Sequence, residues 1–206
     1  MLSLDTSRPR KPMKLTGRLR RPQPHRLGID ATLYSLFKRM TEIPITDVTQ
    51  LVATANAARG WRDAVVRASL PGEADAERRL EALFAISQTL AVYGTLAPGR
   101  PNHHVVAPLG GEWADGVVEG ELSAEGWGAT LGYPGLRPRV GGAVVAVQLL
   151  TSPVLPTAWP ELDRFEGPEY RRILIPVFRP APAGERQLYT VANIYAAAGE
   201  RRDAAR

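Results

Sequence analysis

At about residue 88 the hydrophobic period of this 206-residue chain changes, and that change limits the fold more than any other feature. Before it, apolar residues recur three and four apart. Leu33, Leu36, Phe37 and Met40 follow Asp30, a suitable helix N-cap. Val48, Leu51, Val52 and Ala55 follow Thr46 and end at Gly60, and Trp61 to Leu70 can add a short helical piece. After the Pro71-Gly72 break, residues 73–86 predict a further helix with Leu80, Leu83 and Phe84 on one face. Glu73, Asp75 and Glu77 near its start suit the positive end of the helix dipole. Beyond residue 88 the pattern becomes that of strands, over residues 89–93, 112–122, 141–150, 171–178 and 187–195. One helical segment, residues 157–165, lies among them. The residues therefore predict a small α+β domain over 88–199 behind a helical extension over 29–87, with a polar tail at 200–206.

Residues 1–28 form a basic, proline-rich tail expected to be disordered, with Pro9, Pro12, Pro22 and Pro24 among its charges. The chain's formal charge is +5, but the cations crowd this tail from Arg8 to Arg26, where Asp5 is the only acid. The rest of the chain carries a slight acidic excess. Nucleic-acid binding is thus expected at most as a weak, salt-sensitive property of the tail. There is no cysteine, which excludes disulfides, thiolate metal sites and cysteine nucleophiles. No run of about 18 apolar residues exists to span a membrane, and the N-terminus lacks the apolar stretch of a secretory signal, so a cytoplasmic location is expected.

The strand at 89–93 stops abruptly in Gly94-Thr95-Leu96-Ala97-Pro98-Gly99, followed by His103 and His104. A metal site would need a third ligand. The remaining histidine is His25 in the tail, and adjacent histidines on a strand or helix diverge. A phosphate loop would need Lys-Ser or Lys-Thr after Gly99, where Arg100-Pro101 stands instead. Two readings remain. Gly94 lets the chain turn sharply and lets a ligand approach the main chain, so that the amides of Thr95 and Leu96 form an anion-binding nest. Alternatively, the segment is a plain strand-to-loop turn. The histidines are then structural hydrogen-bonders.

The helix at 157–165 offers Trp159, Leu162 and Phe165 to a core. Pro160 predicts that it lies in the first turn, and Gly167-Pro168 ends the helix. Glu166 sits at that end. A carboxylate there opposes the negative end of the helix dipole by about a few tenths of a kcal/mol. If it is also partly buried, its proton affinity rises toward that of a general base working near neutral pH. The plain alternative is a solvated glutamate at a frayed helix end. Trp127, in a glycine-rich setting, is either a pocket wall or an ordinary rim aromatic. Glu119 and Glu121 alternate with Val118 and Leu122 and are expected on a solvated strand face.

Three ordered motifs carry a resemblance. Tyr93-Gly94-Thr95-Leu96 with Pro98-Gly99 and Pro101-Asn102-His103, then Gly132-Tyr133-Pro134-Gly135-Leu136, then Leu162-Asp163-Arg164-Phe165-Glu166-Gly167 with Tyr170-Arg171, resemble the signatures of the gamma-glutamylcyclotransferase-like (AIG2-like) family. The resemblance covers about residues 88–197 and leaves 1–87 unaccounted for. It implies a small mixed β-barrel with short flanking helices. It also implies a cofactor-independent enzyme that cleaves a small γ-glutamyl amine or peptide, the substrate's own α-amine attacking its γ-carbonyl to release 5-oxoproline. On that resemblance Glu166 is the catalytic proton acceptor. Tyr93, Gly94, Thr95 and Leu96 hold the γ-glutamyl part, and Tyr170, Arg171, Trp127 and Tyr133 support the pocket. A non-catalytic module of the same fold, binding a small carboxylate, is the alternative.

Overall fold

A computed structural model of the chain describes residues 43–60, 73–123, 134–181 and 187–198. Helices α1 (Ile45–Ala58) and α2 (Glu73–Phe84) come first. Strands β1 (Thr89–Val92), β2 (Glu112–Ser123), β3 (Gly135–Pro138) and β4 (Ala143–Thr151) follow. Helix α3 (Leu155–Glu166) then precedes β5 (Tyr170–Phe178) and β6 (Leu188–Ala197). The expected tail over 1–28, the helical patterns at Leu33 to Met40 and Trp61 to Leu70, and the polar tail at 200–206 lie outside the described residues, as do Trp127 and Tyr133.

The strands run in the order β3-β2-β4-β1-β6-β5, and β2 meets β5 again at Val117 and Phe178. That pairing closes β2, β4, β1, β6 and β5 into a barrel. Most neighbours are antiparallel. β1 and β6 are parallel through Leu90 and Asn193, so the barrel is mixed. Closure is tight. A Cβ at Gly116 would lie 2.6 Å from the Val177 side chain, so only glycine admits β5 there. β3 uses the same edge of β2 farther along, pairing with Gly120 to Ser123. The residues do not predict β3, because Gly135-Leu136-Arg137-Pro138 is mostly turn-forming. It becomes a strand because β2 outruns its contact with β5 and leaves backbone donors and acceptors to be paired.

Alternate residues fill the barrel interior: Val118, Val145, Val147, Ile173, Ile175, Val177 and Ile194, with the small Ala192 and Ala196. Outside, α3 covers Leu90, Val92 and Leu150 with Leu155, Trp159 and Leu162. The two N-terminal helices lay Val48, Val52, Ala55, Leu80 and Phe84 over Leu174 and Val191. β6 is therefore buried on both faces from Thr190 to Ala197. Gly60, at φ 78°, ends α1 as the sequence predicts, but the N-cap is Pro44, earlier than the pattern after Thr46 implied. α3 also starts early, at Leu155, so Pro160 sits inside the helix rather than in its first turn. The carbonyl that loses its partner to Pro160 belongs to Pro156, which is exposed and can bond water. Glu119 and Glu121 do lie on the outer side of β2. Glu119 accepts from Gly141 N–H at 2.5 Å and Glu121 pairs with Arg139. Leu122 is half exposed. Among the described residues no helix is long and apolar enough to cross a membrane.

One polar side chain fastens α1 to the barrel. Asn56 donates to Leu174 O and accepts from Leu174 N–H, both at 2.8 Å, like one rung of a further strand. It is 7% exposed. Asn56→Ala strands a buried N–H and a buried carbonyl together. It is expected to lower unfolding free energy by about 2–4 kcal/mol in a denaturant titration. A loss under about 1 kcal/mol would show that water replaces both bonds.

Candidate active site

Tyr93 leaves the end of β1 with its hydroxyl already engaged. It donates to Tyr195 O at 2.9 Å and accepts from Leu136 N–H at 3.0 Å. The phenol thus stands in for a rung between β6 and β3, and burial raises its affinity for its proton well above the usual tyrosine range. Tyr93 shapes the site from behind.

The next residues form a turn in which Ala97 N–H donates to Gly94 O at 3.3 Å, with Thr95 and Leu96 at its centre. A second turn, Arg100 N–H to Ala97 O at 3.0 Å, places Gly99 at φ 74° after Pro98. The loop then closes on its own carbonyls. Asn102 N–H donates to Thr95 O at 3.0 Å, and His103 Nδ1 bonds Leu96 O at 3.1 Å, which requires the proton on Nδ1. In a trans peptide the N–H points opposite to the C=O. With the carbonyls of Gly94 and Thr95 held toward the loop, the N–H groups of Thr95 and Leu96 face away from it. Among the described residues neither N–H finds a protein acceptor, although Thr95 and Leu96 are 8% and 3% exposed. Buried, unpaired donors side by side are costly unless a ligand or water accepts from them. The histidines are structural. His103 fixes the loop and packs against Trp113, and His104 Nδ1 bonds Pro101 O. Gly94 departs from half of its expected role, the sharp turn, and keeps the other half, an open approach to the main chain. Its φ is not in the left-handed region, so the turn itself does not demand glycine, and the space a Cβ would enter is empty.

Facing this loop is the end of α3. Gly167 at φ 74° stops the helix, and its N–H donates to Asp163 O at 3.1 Å. Glu166 is the last helical residue. Burial pushes its carboxyl up to about pH 7 from the ordinary glutamate value. A narrow pocket of about 40 Å³ brings Glu166 together with Tyr93, Gly94, Thr95, Leu96 and Tyr170, backed by Pro134 and Tyr195. Such a space accepts only the head of a ligand.

Arg171 is the exception among the described candidates. Its guanidinium donates to Gly60 O at 2.7 Å, at the end of α1, outside the Glu166 pocket. Successive residues on a strand point to opposite sides, so Tyr170 and Arg171 cannot both turn toward Glu166. Asp163 belongs to the third motif, whereas its partners Tyr195 and Arg172 carry no comparable mark in the sequence. Tyr195 Oη donates to Asp163 Oδ1 at 2.6 Å. Arg172 grips the same carboxylate from Nε at 2.8 Å and Nη2 at 3.1 Å, and stacks over Trp159. Burial pushes Asp163 upward, but the bonds from Arg172 and Tyr195 outweigh it and hold the carboxyl below its usual value. Asp163 is thus an anion while Glu166, one turn on, is poised near neutrality.

A family model described as gamma-glutamyl cyclotransferase, AIG2-like, matches residues 90–206. No curated protein matches the chain. Among solved structures, the chain resembles an AIG2-like protein from Mus musculus at 23% identity and a TM-score of 0.43, covering 56% of this chain and 80% of that one. It also resembles YkqA from Bacillus subtilis at 22% identity and a TM-score of 0.39, covering 53% of this chain and 35% of the length of YkqA. A protein from Pyrococcus horikoshii aligns at 16% identity and a TM-score of 0.39, covering 54% of this chain and 79% of the other.

Proposed function

The chain belongs to the gamma-glutamyl cyclotransferase, AIG2-like family, and from that premise we propose that it cleaves γ-glutamyl amines or peptides by intramolecular cyclisation. What supports this reading is one pocket that joins a carboxylate poised near neutral pH to Thr95 and Leu96, whose adjacent N–H groups find no acceptor among the described residues. The substrate brings its own nucleophile, so the protein must supply geometry, a base and a place for negative charge.

Glu166 takes a proton from the substrate's α-ammonium and makes that nitrogen nucleophilic. The nitrogen attacks the γ-carbonyl carbon, and the oxygen gains charge where the Thr95 and Leu96 N–H groups can donate to it. The γ-carbon to nitrogen bond of the departing amine then breaks, and protonated Glu166 returns its proton to that amine. Two protons leave the α-nitrogen in all, two reach the departing nitrogen, and 5-oxoproline forms. Holding the γ-glutamyl chain bent for ring closure accounts for much of the barrier reduction, since intramolecular alignment can contribute about 7–11 kcal/mol.

Incubation with a panel of γ-glutamyl compounds, with 5-oxoproline detected by mass spectrometry, tests the proposal. Binding of small carboxylates without any 5-oxoproline would instead identify a non-catalytic module. Gly94 gives a second test. A methyl group at Gly94 meets no protein atom within 4 Å and forces no strained φ, yet Gly94 lines the pocket. Gly94→Ala should therefore keep or slightly raise the melting temperature, since removing glycine rigidifies the unfolded chain by about 0.4–1 kcal/mol. Its kcat/KM should fall by about 10²-fold as the methyl displaces the ligand's head. Unchanged turnover would place the substrate elsewhere.

A further inference from the structure

Beside the Glu166 pocket lies a second, wider cleft of about 420 Å³, within the size range of small-ligand sites. The two share Tyr170 and Tyr195 as walls. They also share a helix face. Asp163 lines the cleft, Glu166 lines the pocket, and residues three apart on a helix are neighbours. The cleft is therefore the next space along α3 for any part of a substrate that the narrow pocket cannot hold.

Its charges are unevenly matched. Asp163 is gripped by Arg172, and Glu77 is paired with Arg59 at 2.5 Å. The third guanidinium, Arg171, bonds the neutral carbonyl of Gly60 and faces the cleft without a carboxylate partner among the described residues. Arg59, Glu77 and Gly60 all come from the N-terminal helical region, ahead of the residues that the family model matches. The extension thus builds one wall of the cleft and holds Arg171 in place through Gly60.

We propose that this cleft is the subsite for the departing amine, and that Arg171 selects amines that carry a carboxylate, as in γ-glutamyl amino acids and short γ-glutamyl peptides. The assignment rests on the cyclotransferase reading above and adds the substrate class. A guanidinium with donors to spare binds a carboxylate through charge-assisted, often bidentate, hydrogen bonds. Such a contact is worth about tenfold to a hundredfold in discrimination against a neutral isostere.

The test compares γ-glutamyl-alanine with γ-glutamyl-alaninamide, which differ only in that carboxylate, on the full chain and on Arg171→Gln and Arg171→Lys. The wild-type protein should favour the acid over the amide in kcat/KM by about tenfold to a hundredfold. In Arg171→Gln, which removes the charge, the ratio should approach one. Arg171→Lys, which keeps the charge and loses the planar fork, should fall between. Turnover of both compounds by the wild-type protein without preference overturns the assignment and leaves the cyclotransferase reading standing. So does an unchanged ratio in Arg171→Gln. Because the wild-type ratio is informative alone, poor folding of a variant does not shield the proposal. Absence of 5-oxoproline from every compound overturns the cyclotransferase reading, and this assignment with it.

Discussion

Glu166→Gln is expected to lose about 10²–10⁴-fold in 5-oxoproline release while becoming more stable at neutral pH. The two effects have one cause. Burial that lifts the Glu166 carboxyl to about pH 7 makes it a usable base, and it also makes its ionisation unfavourable in the folded state. A glutamate raised in the folded protein binds its proton more tightly there than in the unfolded chain. Below about pH 4.5 it is protonated in both states and costs nothing. As pH rises toward 7 the unfolded chain ionises first, and the folded state loses relative stability until both are ionised. Glutamine does not titrate. The variant should match the wild-type protein near pH 4 and exceed it above pH 7 by about 1–3 kcal/mol, allowing for the partial exposure of the carboxyl. The wild-type kcat/KM should rise through an acid limb centred near pH 7. An acid limb near 4.5, or a variant no more stable at any pH, would mean that Glu166 is hydrated like an ordinary surface carboxylate. Retained 5-oxoproline release in Glu166→Gln would remove Glu166 from the base role.

How much of this site the residues disclose depends on whether a side chain breaks a local rule. Glu166 does, as an acid at the negative end of a helix just before a glycine stop, and the residue order alone marks it as a candidate beside the plain reading of a solvated helix end. The loop after β1 is visible as composition, but its function is not. The direction of the Thr95 and Leu96 N–H groups follows from bonds made by Asn102 and His103 farther along the loop. Tyr170 and Arg171 read as one motif, but only Tyr170 lines the Glu166 pocket, while both line the neighbouring cleft. The strands are legible where apolar residues run or alternate, as in β4 and β6. β3 is not, since Leu136 is its one aliphatic residue and its pairing is imposed by β2. Tyr195 and Asn193 are hidden for a further reason. β6 is buried on both faces, so neither its polar nor its aromatic positions mark an inside and an outside.

Asn193 is where that concealment matters most, and Asn193→Ala is expected to lower unfolding free energy by about 2–4 kcal/mol. The residue is 1% exposed. Its amide donates to Ile86 O at 2.6 Å and Thr89 O at 3.2 Å, tying the lead-in to β1. Its carbonyl oxygen accepts from Arg59 at 2.8 Å and from Arg172 at 3.5 Å. One side chain thus joins α1, β1, β5 and β6, and through Arg59 it reaches Glu77 on α2. Alanine takes one donor each from Ile86 O and Thr89 O, although Ile86 O keeps the N–H and Oγ1 of Thr89, and it removes an acceptor from two guanidiniums. Because Arg59 and Asn193 act within one network, Asn193→Ala and Arg59→Ala should not add. Their double-mutant cycle should return a coupling of about 1–2 kcal/mol in chemical denaturation. Additive effects with a loss below about 1 kcal/mol would mean that the N-terminal helices rest on the barrel through apolar contact alone. A measured coupling would make them part of the same cooperative unit. The cleft they help to build would then be as rigid as the barrel wall behind it.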